Sequence, residues 1–223
     1  MKQLVILIFW SLTVAANSAL AQTITVASVS KEAYLRALKS RIDTKPKVTY
    51  PLKKQAGRIV IPTAEGKSIF QDRGLGAEGD EENMGQYIYS DAKSEYSYGG
   101  YWPQLSLHSI LGNYRESGRD SWEEILVGDN GQRLHLPGGP NFSPDMRCFV
   151  VESADLGVHL MPNVIQLYQL KNDIWRKIWE VQPKTWEPAE AFWTAENVLF
   201  LKKKLWKAGK ATGAFTYSKI TIQ

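Results

Sequence analysis

The sequence predicts an all-β protein with one short N-terminal helix, and three observations carry that reading. From Arg58 onward the chain falls into short runs rich in β-branched and aromatic residues, each bounded by Gly, Pro, Asn or Asp, as strands joined by tight reversals are. Asp129-Asn130-Gly131 and Lys171-Asn172-Asp173 separate such runs and permit the positive φ that antiparallel hairpins need. Phe142-Ser143-Pro144-Asp145 and Trp193-Thr194-Ala195-Glu196, 51 residues apart, repeat one pattern: an aromatic, a small acidic turn, then an apolar strand. A period of that size marks a chain built from repeated meander sheets.

Taken in order, the chain opens with a leader. Lys2 gives a positive start, Leu4 to Val14 is apolar apart from Ser11 and Thr13, and Ala19-Leu20-Ala21 has the small-x-small form of a cleavage site. Residues 1–21 are read as a signal peptide cleaved near Ala21, which predicts a periplasmic or secreted protein. The apolar run is shorter than the roughly 20 residues a spanning helix needs, so no membrane span is expected. Residues 22–57 are read as a helix and linker: Ser30 caps a helix beginning at Lys31, with Tyr34, Leu35, Leu38 and Ile42 on one face, before Lys45-Pro46 and Tyr50-Pro51 break it. Residues 58–223 are read as one β domain. Its strands are expected at Ile59–Ile61, Ser68–Phe70, Gln86–Tyr89, Leu105–Leu111, Trp122–Val127, Arg133–Leu136, Cys148–Val151, Val164–Leu170, Ile174–Val181, Val198–Leu201 and Phe215–Ile222. Tyr101-Trp102-Pro103-Gln104 opens an earlier, degraded copy of the repeat.

Charge and cysteine content exclude several classes. The 27 basic and 23 acidic side chains are scattered except for Lys202-Lys203-Lys204, read as a solvated strand edge protected from pairing and not as a nucleic-acid patch. Cys148 is the only cysteine, so there is no internal disulfide, and its apolar surroundings predict a buried, inert thiol.

At Pro140-Asn141-Phe142-Ser143-Pro144-Asp145-Met146 the chain resembles the tryptophan-aspartate-like propeller repeat of TolB-type exported proteins, whose blades carry Pro-x-aromatic-Ser-Pro-Asp-Gly before the innermost strand. Met146 stands where that pattern has Gly, and Ala195 and Glu196 replace Pro and Asp in the second copy. Beyond this segment, the chain after Ile59 is similar to small exported bacterial proteins with a terminal Phe-Thr-Tyr-Ser-Lys strand. The resemblance implies a propeller-like array of about three or four blades, an open or incomplete ring at this length, and a binding or scaffolding role. A β-sandwich is the alternative.

Conspicuous side chains mostly find structural roles. Asp145 and Glu196, with Ser143 and Thr194, are expected to accept backbone N–H groups in their turns. Glu78-Gly79-Asp80-Glu81-Glu82-Asn83, with Asp72 upstream, is the best Ca²⁺ candidate by chemistry, but lacks EF-hand spacing and is read as a solvated loop. No metal or other cofactor is predicted. His108, His135 and His159 lie far apart, and no catalytic serine or cysteine motif surrounds them. Tyr96, Tyr98, Tyr101 and Trp102, interleaved with Gly99 and Gly100, form the densest aromatic patch and are the predicted ligand- or partner-binding residues, since exposed rings stack on sugars or anchor proteins. Trp175, Trp179 and Trp186 form a second cluster, with Trp175 and Trp179 expected on one strand face. The function this supports is an exported, soluble, non-catalytic binding module of the bacterial envelope, with a protein or glycan as partner. The alternatives are a glycan-binding or glycan-hydrolysing protein using carboxylates such as Glu78, Asp80 or Glu187, and a neutraliser of periplasmic toxins.

Overall fold

Among the described residues, backbone pairing sorts the strands into four antiparallel sheets, none closed into a barrel. The structure, a computed structural model, describes residues 23–74, 93–116 and 119–223. The leader at 1–21, the acidic loop Glu78 to Asn83 and the strand expected at Gln86–Tyr89 lie outside the described residues. Among those described, no helix is long and apolar enough to cross a membrane.

Sheet A orders its strands β1 (Ile24–Val29), β14 (Lys210–Ile222), β13 (Val198–Lys207) and β12 (Trp186–Ala195). Sheet B runs β11 (Ile174–Val181), β10 (Val164–Lys171), β9 (Cys148–Ser153) and β8 (Asn141–Phe142). Sheet C is the meander β4 (Lys93–Trp102), β5 (Leu107–Glu116), β6 (Arg119–Gly128) and β7 (Arg133–Leu136), and sheet D the hairpin β2 (Arg58–Thr63) and β3 (Gly66–Gln71).

Alternation of side chains gives each central sheet two apolar faces, and the sheets stack through them. Cys148, Val150, Ile165 and Leu167 of sheet B meet Ala191, Trp193, Leu199, Leu201, Ile220 and Ile222 of sheet A. On its other face, Phe142, Phe149, Val151, Tyr168 and Trp175 meet Trp102, Leu107, Leu126 and Leu136 of sheet C. Sheet C in turn packs Ile110, Ile125 and Val127 on Ile59, Ile61 and Phe70 of sheet D. Helix α1 (Lys31–Leu38), whose Ser30 cap accepts the Ala33 N–H at 3.2 Å, covers the outer face of sheet A. Only Tyr34 of its predicted stripe is buried, against the rings of Phe192 and Tyr217; Leu35 and Ile42 remain exposed.

The residues read as the N-terminal helix and linker also pair with the sheets. β1 adds an edge strand to sheet A beside the C-terminal β14. Beyond the helix, the arm touches each sheet in turn. Ile42 donates to the Trp193 carbonyl at 2.9 Å, Thr44 bridges Phe142, Thr49 and Tyr101 exchange hydrogen bonds of 2.9 and 2.8 Å, and Gln55 donates to the Arg58 carbonyl at 2.9 Å.

Trp102, Phe142 and Trp193 occupy matching places. Each lies at or near the end of a strand (β4, β8 or β12) and pairs across a turn with the next strand in the chain, at Leu107, Phe149 and Leu199. At the Phe142 turn, Asp145 accepts the Arg147 N–H at 3.1 Å and the Ser143 hydroxyl at 2.6 Å, and Ser143 Oγ also accepts the Cys148 N–H at 3.0 Å. Glu196 is exposed instead, and its turn is tied by Asn197, whose amide donates to the Ile222 carbonyl at 3.1 Å. Met146 sits at φ 57°, where a β-carbon is strained and glycine is not. Replacing Met146 with Gly is therefore expected to raise the unfolding free energy by roughly 0.5–1 kcal/mol, read as a higher urea midpoint at unchanged slope.

Two expectations about exposure and facing are corrected. β13 is an interior strand, so Lys202-Lys203-Lys204 are flanked on both sides and are not an edge; their ammonium groups lie over Phe215 at 4.3 Å, Trp186 at 5.3 Å and Trp206 at 5.2 Å. Trp175 and Trp179 face opposite cores, because a bulge at Ile178 shifts the register with β10 and reverses the alternation.

Candidate functional site

A bulge also builds the aromatic site. Tyr98 and Tyr101 are three residues apart and would point to opposite faces of a regular strand. Gly99 is extruded between Tyr98 opposite Ile110 and Gly100 opposite Ser109, which returns Tyr101 to the face of Tyr98. Both glycines are needed there: a β-carbon on Gly99 would lie 2.4 Å from Ser109 Oγ, and Gly100 has φ 116° and would press Val48 at 2.4 Å.

Of the four predicted residues, Tyr98 and Tyr101 come together around His108. The Tyr98 hydroxyl lies 2.9 Å from His108 Nδ1, the Tyr101 ring centroid 4.5 Å from the imidazole, and His108 Nε2 3.6 Å from Asp129 Oδ1. Tyr101 donates its hydroxyl to Asp129 Oδ2 at 2.7 Å. With the imidazole proton on Nε2, Tyr98 donates to Nδ1, and the ring N–H and the Tyr101 hydroxyl both face the Asp129 carboxylate. Tyr50, 68% exposed, sets its ring edge-on to Tyr98 at 6.5 Å. Asp129 is itself about half exposed. Tyr96 lies on the same sheet face but farther along, against Phe70 and Tyr114, with its N–H on Asp72 at 2.9 Å. Trp102 points the other way, buried in the core between sheets B and C and edge-on to Phe142 at 5.5 Å, where it can touch no ligand.

Burial and neighbouring charge shift the titrating groups of the site. Burial, then the fields of Tyr101 and Asp129, pushes the Tyr98 phenol up to about 12, and the hydrogen bond to Asp129, then burial, raises Tyr101. Burial lowers His108 against the pull of Asp129. At neutral pH the imidazole and both phenols are therefore uncharged.

His135, half exposed in β7, behaves oppositely: its hydrogen bond to Glu123, 3.0 Å from Nδ1, raises it. The two histidines are expected to titrate on opposite sides of 6.5 in an NMR pH series. The raised His135 contributes stability that is full below about 6.5 and is lost as pH climbs through its folded value, whereas His108 opposes folding as pH falls below about 6.5. His135→Gln should therefore cost stability at pH 5.5 and nothing at pH 8.5, by under about 1 kcal/mol for so exposed a pair.

His108 and Asp129 were not singled out together by the sequence. Asp129 reads as a turn residue, and the turn is pinned to the β4–β5 connection by the Asp129 N–H on the Ser106 carbonyl at 3.0 Å, a contact neither turn announces. No family model, curated protein or solved structure matches this chain. The likeness to the TolB-type repeat thus rests on the motif residues alone.

Other predicted groups are committed elsewhere. Asp72 pairs with Lys54 at 2.5 Å, and among the described residues no group of three His, Cys, Asp or Glu could hold a metal ion. Glu187 is buried, accepts the Leu156 N–H at 2.7 Å and faces Lys204 at 3.6 Å. Cys148 is buried, and burial pushes its thiol up to about 11.

Proposed function

We propose that this chain is an exported, soluble, non-catalytic binding module of the bacterial envelope, built as an open, propeller-like array. It binds its partner through the surface formed by Tyr50, Tyr98, Tyr101 and Asp129. One observation carries the reading: the Gly99 bulge and the hydrogen bonds to His108 and Asp129 fix Tyr98 and Tyr101 side by side, and the arm sets Tyr50 beside them, while Tyr50 and Asp129 remain open to solvent. Rigid aromatic groups give up little conformational entropy on binding, and so dominate interface energies. The matching places of Trp102, Phe142 and Trp193 support the repeated-blade reading, and the leader pattern supports export. A glycan is the second reading, favoured by the carboxylate beside the two rings, since a sugar stacks on an aromatic face while its hydroxyls donate to an acceptor.

Crosslinking in the native envelope followed by mass spectrometry tests both. The expected result is one stoichiometric protein partner, lost with Tyr50→Ala and Tyr101→Ala while the urea midpoint stays within the range of a surface change. Capture of glycan instead, with the same variant dependence, selects the second reading. Recovery alone, or capture insensitive to both substitutions, rejects this surface.

A further inference from the structure

Asn197 to Gln223 hold six lysines and no aspartate or glutamate. In that segment β13 and β14 outrun their neighbours: β12 ends its pairing at Trp186 opposite Leu205, and β1 ends at Val29 opposite Tyr217. The hairpin from Trp206 to Phe215 therefore projects beyond sheet A, with Lys207 and Lys210 exposed at its turn and Phe215 40% exposed. Lys184 is exposed beside its base, where the Thr185 carbonyl accepts the Trp206 N–H at 2.8 Å.

A second feature abuts the same base. In the loop from Asp155 to Met161, Val158 is 69% and Leu160 36% exposed. The loop is nonetheless ordered, because the Asp155 carboxylate accepts the N–H groups of Val158, His159, Leu160 and Met161 at 2.6–2.9 Å. Its Gly157 lies against the hairpin: a β-carbon there would be 3.1 Å from the Trp206 ring. Asp155 is occupied by those four N–H groups and Glu187 by Leu156 and Lys204.

We propose that this hairpin and loop together dock the chain on the surface of an anionic phospholipid bilayer. Exposed lysines meet the headgroup charge, and Val158 and Leu160, presented on a fixed backbone, enter the apolar boundary beneath it. A soluble polyanion would satisfy the lysines but leave the apolar loop without a role, and that asymmetry favours a bilayer. The inference is independent of the aromatic surface.

The experiment is cosedimentation of the full-length gene product with vesicles of phosphatidylcholine alone or containing phosphatidylglycerol. Wild type and variants carry the same N-terminus, verified by mass spectrometry, so only differences between them are read. Wild type should partition to the anionic vesicles far better than to the neutral ones, and less at high salt. Lys207→Glu with Lys210→Glu should weaken that partition by at least roughly 25-fold, about five-fold per lysine, and Val158→Asp with Leu160→Asp should also release the protein. These positions are exposed, and unchanged circular dichroism checks the fold. Equal partition to both vesicle types, or no loss with the lysine pair, overturns the proposal. Indifference to the Val158 and Leu160 pair, together with full displacement by soluble polyglutamate, overturns the bilayer in favour of a polyanion.

Discussion

Trp193→Ala is expected to lower the unfolding free energy by about 3–5 kcal/mol, against a total of roughly 5–15 kcal/mol for a domain of ordinary stability. The indole is fully buried in the core it shares with Leu199, Leu201, Ile165 and Cys148, so its loss opens a cavity there. Its Nε1–H donates to the Asn141 carbonyl at 3.0 Å, tying β12 of sheet A to β8 of sheet B, and its own carbonyl receives the arm at Ile42. Truncation thus removes apolar contact and also leaves the Asn141 carbonyl without that donor. The control is Trp122→Ala, since Trp122 is 41% exposed and its loss should fall within about 1 kcal/mol. Urea unfolding of the two proteins separates the cases; similar midpoints would mean that the core between sheets A and B does not hold the stack together.

Much of this architecture was legible because packing imprints itself as local composition. Arg133–Leu136 and Ile174–Val181 lie where the sequence placed them, since apolar runs bounded by turn residues read as strands whatever their partners. β1 was not legible for the converse reason: four of its six residues are exposed, so it has no alternation to detect, and it is a strand only because β14 offers a free edge from the far end of the chain. β12 contains Pro188, which suggests a break, yet the proline sits beside a register shift where no ladder donor is required.

The site was half legible. Tyr98 and Tyr101 stood out by density, but which rings share a face depends on parity, and a single extruded residue inverts it, at Gly99 for the tyrosines and at Ile178 for the tryptophans. The lysine triplet failed on the same kind of ground. Whether a strand is interior or edge is a property of the sheet, and here the second neighbour arrives as β14, folding back on β13.

Gly100→Ala is the second large effect expected, a loss of roughly 2–4 kcal/mol from backbone strain and overpacking combined. The residue holds φ 116°, and the added methyl would meet Val48 Cγ1 at 2.4 Å, the Thr49 carbonyl at 3.1 Å and the Tyr50 ring at 3.2 Å. The Thr49 carbonyl cannot withdraw freely, because it accepts the Tyr101 N–H at 2.8 Å, so the arm must lift from sheet C and carry Tyr50 away from Tyr98. Gly66→Ala isolates the strain: φ there is 128° with nothing within 4 Å of the added carbon, and roughly 1–2 kcal/mol is expected. The difference between the two is the cost of displacing the arm, and it carries a second signature, faster tryptic cleavage at Lys47 and Lys53 in Gly100→Ala alone. Equal losses with a protected arm would show that the clash is absorbed within β4 and that Tyr50 is positioned by something other than this contact. If the arm does lift, capture of the proposed partner should fall together with it, because the same glycine that lets the chain cross sheet C also holds Tyr50 beside Tyr98 in the proposed surface.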